Sequence, residues 1–309
     1  MKNQFFKKIR NSLLHIFIVI LKFIILFIPW SLSRIIGSMI GNIFYYSAKK
    51  ERNKIFKNLD IVYGKDAFNS KQKKLFAKKV CINLGIGFYE FAKFSTWSPK
   101  KISSLVKEVV GLEYLQKAAK EGKSYISITP HMSNWEITPV YAKLKFGWPL
   151  VAAIGKKIFD QRLEKIVHST RVKSGYAIYD KDNISRDMIV GLKSGKMILG
   201  ILVDQDTTVE SMIIPFLGIP AKTPVVPAIL AKKYGTYIGT VFMIRREDGH
   251  YKMIVNKPHI PTEKDSVESI ALRYNNEISE MIRIYPHQWV WLHERWKSTL
   301  GTNSKIYKG

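Results

Sequence analysis

The segment Thr129-Pro130-His131-Met132-Ser133-Asn134-Trp135-Glu136 follows an apolar run and sets a histidine five positions before a glutamate. Histidine is the side chain best suited to take a proton near neutral pH, provided that a partner holds its ring in one tautomer. His131 is therefore the candidate general base and Glu136 the candidate partner, since a carboxylate accepting from one ring nitrogen raises the basicity of the other. A second arrangement fits the same residues. Ser133 and Glu136 form S-x-x-E, a capping box that would tie Glu136 to the Ser133 backbone and leave it no catalytic duty. Thr138 followed by Pro139 offers a competing helix start, with Glu136 in the loop before it and free to reach His131. Pro139 inside a helix begun at Ser133 would also remove a hydrogen bond.

Asp204 and Asp206 flank Gln205 after the apolar run "MILGILV". Two carboxylates there could order a neighbouring arginine or bind a metal, although alternate residues of an extended chain point opposite ways. The single cysteine, Cys81, lies in the helical, apolar stretch "LFAKKVCINLG". It builds neither a disulfide framework nor a zinc set, and its setting is that of a buried thiol. No G-x-S-x-G is present, so a serine nucleophile on a strand-to-helix elbow is not indicated.

These groups need strands to deliver them. "SYISIT", "LVAAIG", "YAIY" and "MILGILV" read as short buried strands, and helical patterns over residues 158–173 and 185–193 separate the later ones. Helices are also expected over residues 70–96, in "GLEYLQKAAKEG", and over residues 225–234 and 265–284. "TYIGTVFMIRREDGHYKMIVNKP" reads as a hairpin turning at Asp248 and Gly249. Strands alternating with helices and closing with a hairpin predict an α/β fold, a mixed β-sheet flanked by helices. In such sheets ligands bind beyond the carboxyl ends of the strands, where His131, Asp204 and Asp206 fall.

The stretch from Leu13 to Trp30 is nearly long enough to cross a bilayer, but His15 and Lys22 interrupt it. Lys8, Asn11, Ser12, His15 and Lys22 fall on one narrow helical stripe, so the segment predicts an uncleaved hydrophobic anchor whose polar side faces protein or headgroups. Basic residues on both sides, among them Lys7, Lys8, Arg10, Lys49, Lys50 and Arg52, favour partial insertion or a hairpin over a single crossing. Ser33, Gly37 and Gly41 recur every four residues and would let another helix approach closely. The expected organisation is a membrane-associated helical segment over residues 1–48 and one α/β domain over residues 49–309.

Fifty Lys and Arg against 24 Asp and Glu give a net charge of +26, a field able to recruit an acidic partner. Nucleic acid, an anionic membrane surface and an acidic carrier protein all satisfy it. A nucleic-acid binder would also carry a recognisable binding motif with exposed aromatics among its basic residues, and none is found.

Four segments in order resemble one family. "GLEYLQKAAKEGKSYISITPHMSNWE" is similar to the H-x4-D/E segment of the lysophospholipid acyltransferase superfamily, specifically its lipid A late acyltransferase branch of lauroyl and myristoyl transferases. "STRVKSGYAIYDKD" resembles the arginine and glycine block, through Arg171 and Gly175. "GILVDQDTTVESMIIPFLGIPAKTPVVPAILA" resembles the D-Q-D, F-x-G-x-x-A-x-T and P-A blocks, with Phe216, Gly218 and Thr223 at matching positions. "WVWLHERWK" resembles W-x-H-R-R-W-K, with Glu294 where a basic residue is usual.

The resemblance implies a glycerolipid acyltransferase-like fold at the cytoplasmic face of the inner membrane. It also implies acyl transfer from acyl carrier protein to a hydroxyl of a lipid A precursor, an anionic glycolipid. The carrier thioester is the co-substrate, with neither metal nor other cofactor expected and no nucleic-acid partner. Read this way, His131 deprotonates the acceptor and Glu136 orients it. Arg171 is a candidate for holding a phosphate or sugar of the acceptor, or else bonds local carbonyls at a helix end. Asp204 supports the site, by pairing with Arg171. Asp206, Thr223 and Arg295 complete the candidate substrate contacts, Thr223 equally fitting a role in shaping its loop. The tryptophans at 289, 291 and 296 suit either a headgroup interface or packing onto the core.

Overall fold

The computed structural model describes residues 12, 16, 19, 20, 23–25, 27–155, 160–180 and 185–300. Helices α1 (Ser33–Ser47), α2 (Lys49–Tyr63) and α3 (Ser70–Phe94) come first, and α4 (Pro99–Ser103) leads into the sheet. Asn69 starts α3 with a capping box to Gln72. Then come β1 (Val106–Val110), α5 (Leu112–Lys120), β2 (Tyr125–Thr129), α6 (Ile137–Lys145), β3 (Leu150–Gly155) and α7 (Gln161–Lys173). β4 (Ala177–Asp180), α8 (Arg186–Lys193) and β5 (Met197–Leu202) continue the alternation. The hairpin β6 (Ser211–Phe216) and β7 (Ile219–Pro224) precedes α9 (Val226–Tyr234), β8 (Tyr237–Arg245), β9 (Tyr251–Val255), α10 (Val267–Ile284) and the short α11 (Lys297–Leu300).

Seven strands form one sheet in the order β1-β9-β8-β2-β5-β3-β4, and β6 pairs only with β7. β8, β2, β5, β3 and β4 run parallel, while the β8–β9 hairpin reverses direction and carries β1 parallel to β9. The mixed sheet is the one the alternation predicts. β2 sits at its centre and all five of its residues are buried, as expected of a parallel strand covered on both faces. One face packs Ile128, Leu199, Ile201 and Phe242 against α9, α10 and the three terminal tryptophans. The other packs Ile198, Val241 and Met253 against Leu115 of α5 and Ile137, Val140 and Ala142 of α6.

The small residues at four-residue spacing do bring two helices together. Ser33, Gly37, Gly41 and Tyr45 are the buried face of α1. A Cβ on Gly41 would stand 2.4 Å from the Cys81 carbonyl oxygen, and one on Gly85 of α3 2.2 Å from the Gly37 carbonyl oxygen. Backbone therefore touches backbone at this crossing. On the opposite face of α1, Ile35, Met39, Ile43 and Tyr46 are exposed. Cys81 is buried, and burial pushes its thiol up to about 11.

Among the described residues no helix is long and apolar enough to cross a membrane, so they hold no spanning anchor. Residues 1–11, 13–15, 17, 18, 21, 22 and 26 lie outside the described set, and with them most of the expected polar stripe. Of the expected anchor, Ile16, Val19, Ile20, Phe23, Ile24 and Phe27 are helical and exposed.

Candidate active site

Thr129 at the end of β2 pairs with Leu202 at the end of β5. Two residues beyond this last pair, the two strands deliver His131 and Asp204 to each other. His131 Nδ1 lies 2.8 Å from Asp204 Oδ1, and the His131 backbone N–H donates to Asp204 Oδ2 at 2.9 Å. Trp289 Nε1 donates to the same Oδ2 at 2.7 Å. The Asp204 side chain is only 1% exposed, and burial raises a carboxyl's pKa, but His131 and the three hydrogen bonds outweigh it and hold Asp204 below its ordinary value. An ionised carboxylate can only accept, so Nδ1 carries the proton and Nε2 is left bare. No described residue bonds that nitrogen. The Trp135 ring stands edge-on to the imidazole at 4.9 Å.

Glu136 does not orient His131, because its oxygens are committed elsewhere. Arg171 Nη2 donates to Oε1 at 2.5 Å, Arg171 Nε reaches both oxygens at 3.1 and 3.2 Å, and the Tyr176 hydroxyl donates to Oε2 at 2.7 Å. No hydrogen bond joins Glu136 to His131 among the described residues. The loop between them explains the divergence: Ser133 takes a positive φ of 54°, and Glu136 lands at the N-cap position of α6, facing α7 and Tyr176. The capping box does not form either, since Ser133 Oγ has no partner among the described residues and the helix begins at Ile137. The expected pairing of Asp204 with Arg171 is likewise replaced. Each carboxylate takes the other's expected partner. Burial opposes the charge on Arg171, but Glu136 restores it and raises the guanidinium above its ordinary value.

His131, Glu136 and Arg171 line one cavity of about 520 Å³ beneath α6, with Asp204 buried behind His131. Its mouth is polar, with His131, Glu136, Arg171, Asp206 and His293. Its interior is apolar, bounded by Ala142, Val151, Ile198, Val241, Met253 and Leu115. Along β5 it extends from Leu202 to Ile198, roughly 13 Å at the rise of a β-strand. The cavity thus joins an imidazole, its Nε2 open, to an apolar interior.

Asp206 lies at the mouth, accepting from Ser298 Oγ at 2.6 Å and from the Thr207 backbone at 3.1 Å. His293 Nδ1 accepts from the Asp206 N–H at 3.4 Å, and burial lowers the His293 ring below its ordinary value. Thr223 and Arg295, expected among the substrate contacts, are instead fully buried and do not line the cavity. Arg295 donates to Thr223 Oγ1 at 2.8 Å and to the Lys222 carbonyl at 2.5 Å and lies over the Phe216 ring, bracing the β6–β7 hairpin. Burial pulls its guanidinium down to about 10. Trp289, Trp291 and Trp296 are buried, and they pack the terminal segment onto the core. Sequence reasoning missed Tyr176 and the Trp289 hydrogen bond, for which spacing gives no signal.

The family described as bacterial lipid A biosynthesis acyltransferase matches residues 3–298. The chain is 20% identical over 274 residues to the lipid A biosynthesis lauroyltransferase of Escherichia coli (strain K12), covering 88% of this chain and 87% of that protein. It is 23% identical over 287 residues to the palmitoleoyltransferase of the same organism, covering 91% and 90%. It is also similar to the phosphatidylinositol mannoside acyltransferase of Mycolicibacterium smegmatis (strain ATCC 700084 / mc(2)155), with 20% identity over 205 residues, 65% of this chain and 66% of that protein.

Proposed function

Because the chain belongs to the bacterial lipid A biosynthesis acyltransferase family, we propose that it moves a fatty acyl chain from an acyl carrier protein thioester to a hydroxyl of a lipid A precursor, with His131 as the general base. The observation that carries this reading is the imidazole bonded to a buried carboxylate at the mouth of an apolar cavity. His131 Nε2 takes the proton of the acceptor hydroxyl as its oxygen attacks the thioester carbonyl. The tetrahedral intermediate then collapses, the carbon–sulfur bond breaks, and the thiolate recovers the proton from the imidazolium. Asp204, bonded to Nδ1, stabilises the charged ring while it exists. No covalent acyl-enzyme and no metal enter these steps.

The acyl chain occupies the apolar interior of the cavity. Arg171 lines the mouth, so with Glu136 fixing its plane its guanidinium is offered to a phosphate of the acceptor. Asp206 borders the same mouth. The charge of +26 favours both an acidic carrier and an anionic lipid. The exposed apolar face of α1 and the exposed residues from Ile16 to Phe27 support seating at the cytoplasmic face of the inner membrane. The similarity to a phosphatidylinositol mannoside acyltransferase supports a second reading, in which the acceptor is another membrane glycolipid.

Mass spectrometry of lipids tests the proposal. Membranes containing the wild type or His131→Ala are incubated with a lipid A precursor and carrier protein loaded with defined fatty acids. The precursor is expected to gain one acyl mass with the wild type, and roughly 10²- to 10⁴-fold more slowly with the variant. Modification of a different glycolipid alone would transfer the reading to that acceptor, and equal rates for the two proteins would remove His131 from the mechanism.

A further inference from the structure

The loop that carries His131 and Glu136 is gripped from two sides. On one side Met132 bridges to Trp289, Val290 N–H donates to the His131 carbonyl at 3.0 Å, and Ser133 N–H donates to the Gln288 carbonyl at 2.7 Å. On the other side is a buried polar cluster that the proposed chemistry does not use. Asn134, in the middle of the loop and 3% exposed, donates through Nδ2 to Glu90 Oε2 at 2.8 Å. Glu90 has no exposure and pairs with Arg245 Nη2 at 2.9 Å. The Tyr251 hydroxyl donates to the same carboxylate oxygen, and Arg245 Nη1 donates to Asn83 Oδ1.

The two sides are joined. The Arg245 backbone exchanges two hydrogen bonds with the Gln288 side chain, both at 2.9 Å. Glu90, Asn134 and Arg245 do not line the cavity, so they act on no substrate directly. A buried ion pair is a poor source of net stability compared with apolar packing of the same volume, but it imposes a geometry that apolar packing does not. Here the geometry imposed is that of a loop containing a non-glycine residue at positive φ, whose two ends must meet different partners, Asp204 and Arg171.

We propose that Glu90 is a positioning residue: through Asn134 it fixes the loop so that His131 meets Asp204 while Glu136 meets Arg171. The proposal rests on His131 being the base. Glu90 lies on α3, five residues after Gly85, so the helix that crosses α1 backbone to backbone is also the one that sets the loop. Helix α3 thereby links the exposed apolar face of α1 to the catalytic histidine.

The test measures kcat and KM for acyl transfer, together with the unfolding temperature, for Asn134→Ala, Glu90→Leu and the double variant. A displaced catalytic group costs rate rather than donor affinity, so Asn134→Ala is expected to lower kcat roughly tenfold to hundredfold with the donor KM within about twofold. The double variant is expected to be no slower than the slower single variant, because both remove one link. A kcat for folded Asn134→Ala within about threefold of wild type, or single effects that multiply in the double variant, would overturn the proposal. Glu90→Leu leaves Arg245 without its counter-charge; if it does not fold, Asn134→Ala alone decides by the same kcat threshold. His131→Ala, run alongside, separates the two readings: full activity there sinks the base assignment whatever Asn134 does, whereas an inactive His131→Ala with an unaffected Asn134→Ala sinks only the positioning.

Discussion

At the scale of single residues, Asp204 is the side chain whose role departs most from expectation. Replacing it by asparagine keeps the shape but lets the amide donate to Nδ1, which favours the tautomer with its proton on Nε2, unable to accept from substrate. Asp204→Asn is expected to lower kcat by roughly 10²- to 10⁴-fold while leaving the fold intact, as read by steady-state acyl transfer and circular dichroism. Wild-type turnover would return the orienting role to another group. His131 was legible in the sequence because a histidine just past a buried strand is conspicuous. Its partner was not, because 73 positions separate His131 from Asp204 and only strand register brings them together. Knowing that β2 and β5 are parallel neighbours ending at Thr129 and Leu202 is enough to pair the two side chains. Glu136 is closer in sequence, but the turn at Ser133 sends it to Arg171, and no periodicity announces a positive φ at serine.

At the scale of elements, the α1–α3 crossing carries the sharpest expectation. A methyl on Gly85 would fall 2.2 Å from the Gly37 carbonyl oxygen and 2.4 Å from the Gly41 nitrogen, so neighbouring backbone must move. Gly85→Ala is expected to destabilise the protein by about 1–3 kcal/mol, measured by denaturant unfolding in detergent, and no change would mean that the helices part easily. The crossing was readable because small residues four apart share one helix face. The β6–β7 hairpin was not: Pro215 faces Pro220 and Pro224 closes the ladder, and proline marks a segment as irregular unless it lies on an edge. As a two-stranded ribbon, β6–β7 is all edge. β1 was missed for a simpler reason, since Val106-Lys107-Glu108-Val109-Val110 gives little alternation to distinguish it from a loop.

At the scale of the whole molecule, three half-buried histidines make stability depend on pH. Burial lowers His259, His287 and His293 below the ordinary value of about 6.5, with Arg273 and Lys79 adding to the effect at the first two. For a group whose folded pKa is depressed, its contribution is complete above the unfolded value and is lost as pH falls through the folded one. The unfolding temperature is therefore expected to be level above about pH 7 and to descend as pH drops below about 6.5; a level curve down to about pH 5 would contradict it.

The glycine crossing also gives the enzyme a fixed stature. The backbone contact between α1 and α3, and the hydrogen bond from Asn134 to Glu90 of α3, connect the apolar flank of α1 to the loop of the imidazole. On the proposed seating, with that flank on a bilayer and His131 as the base, the base stands at one altitude above the lipid surface. On the proposed reading, reach then becomes a criterion of selection: an acceptor is expected to react when its headgroup lifts a hydroxyl to that altitude.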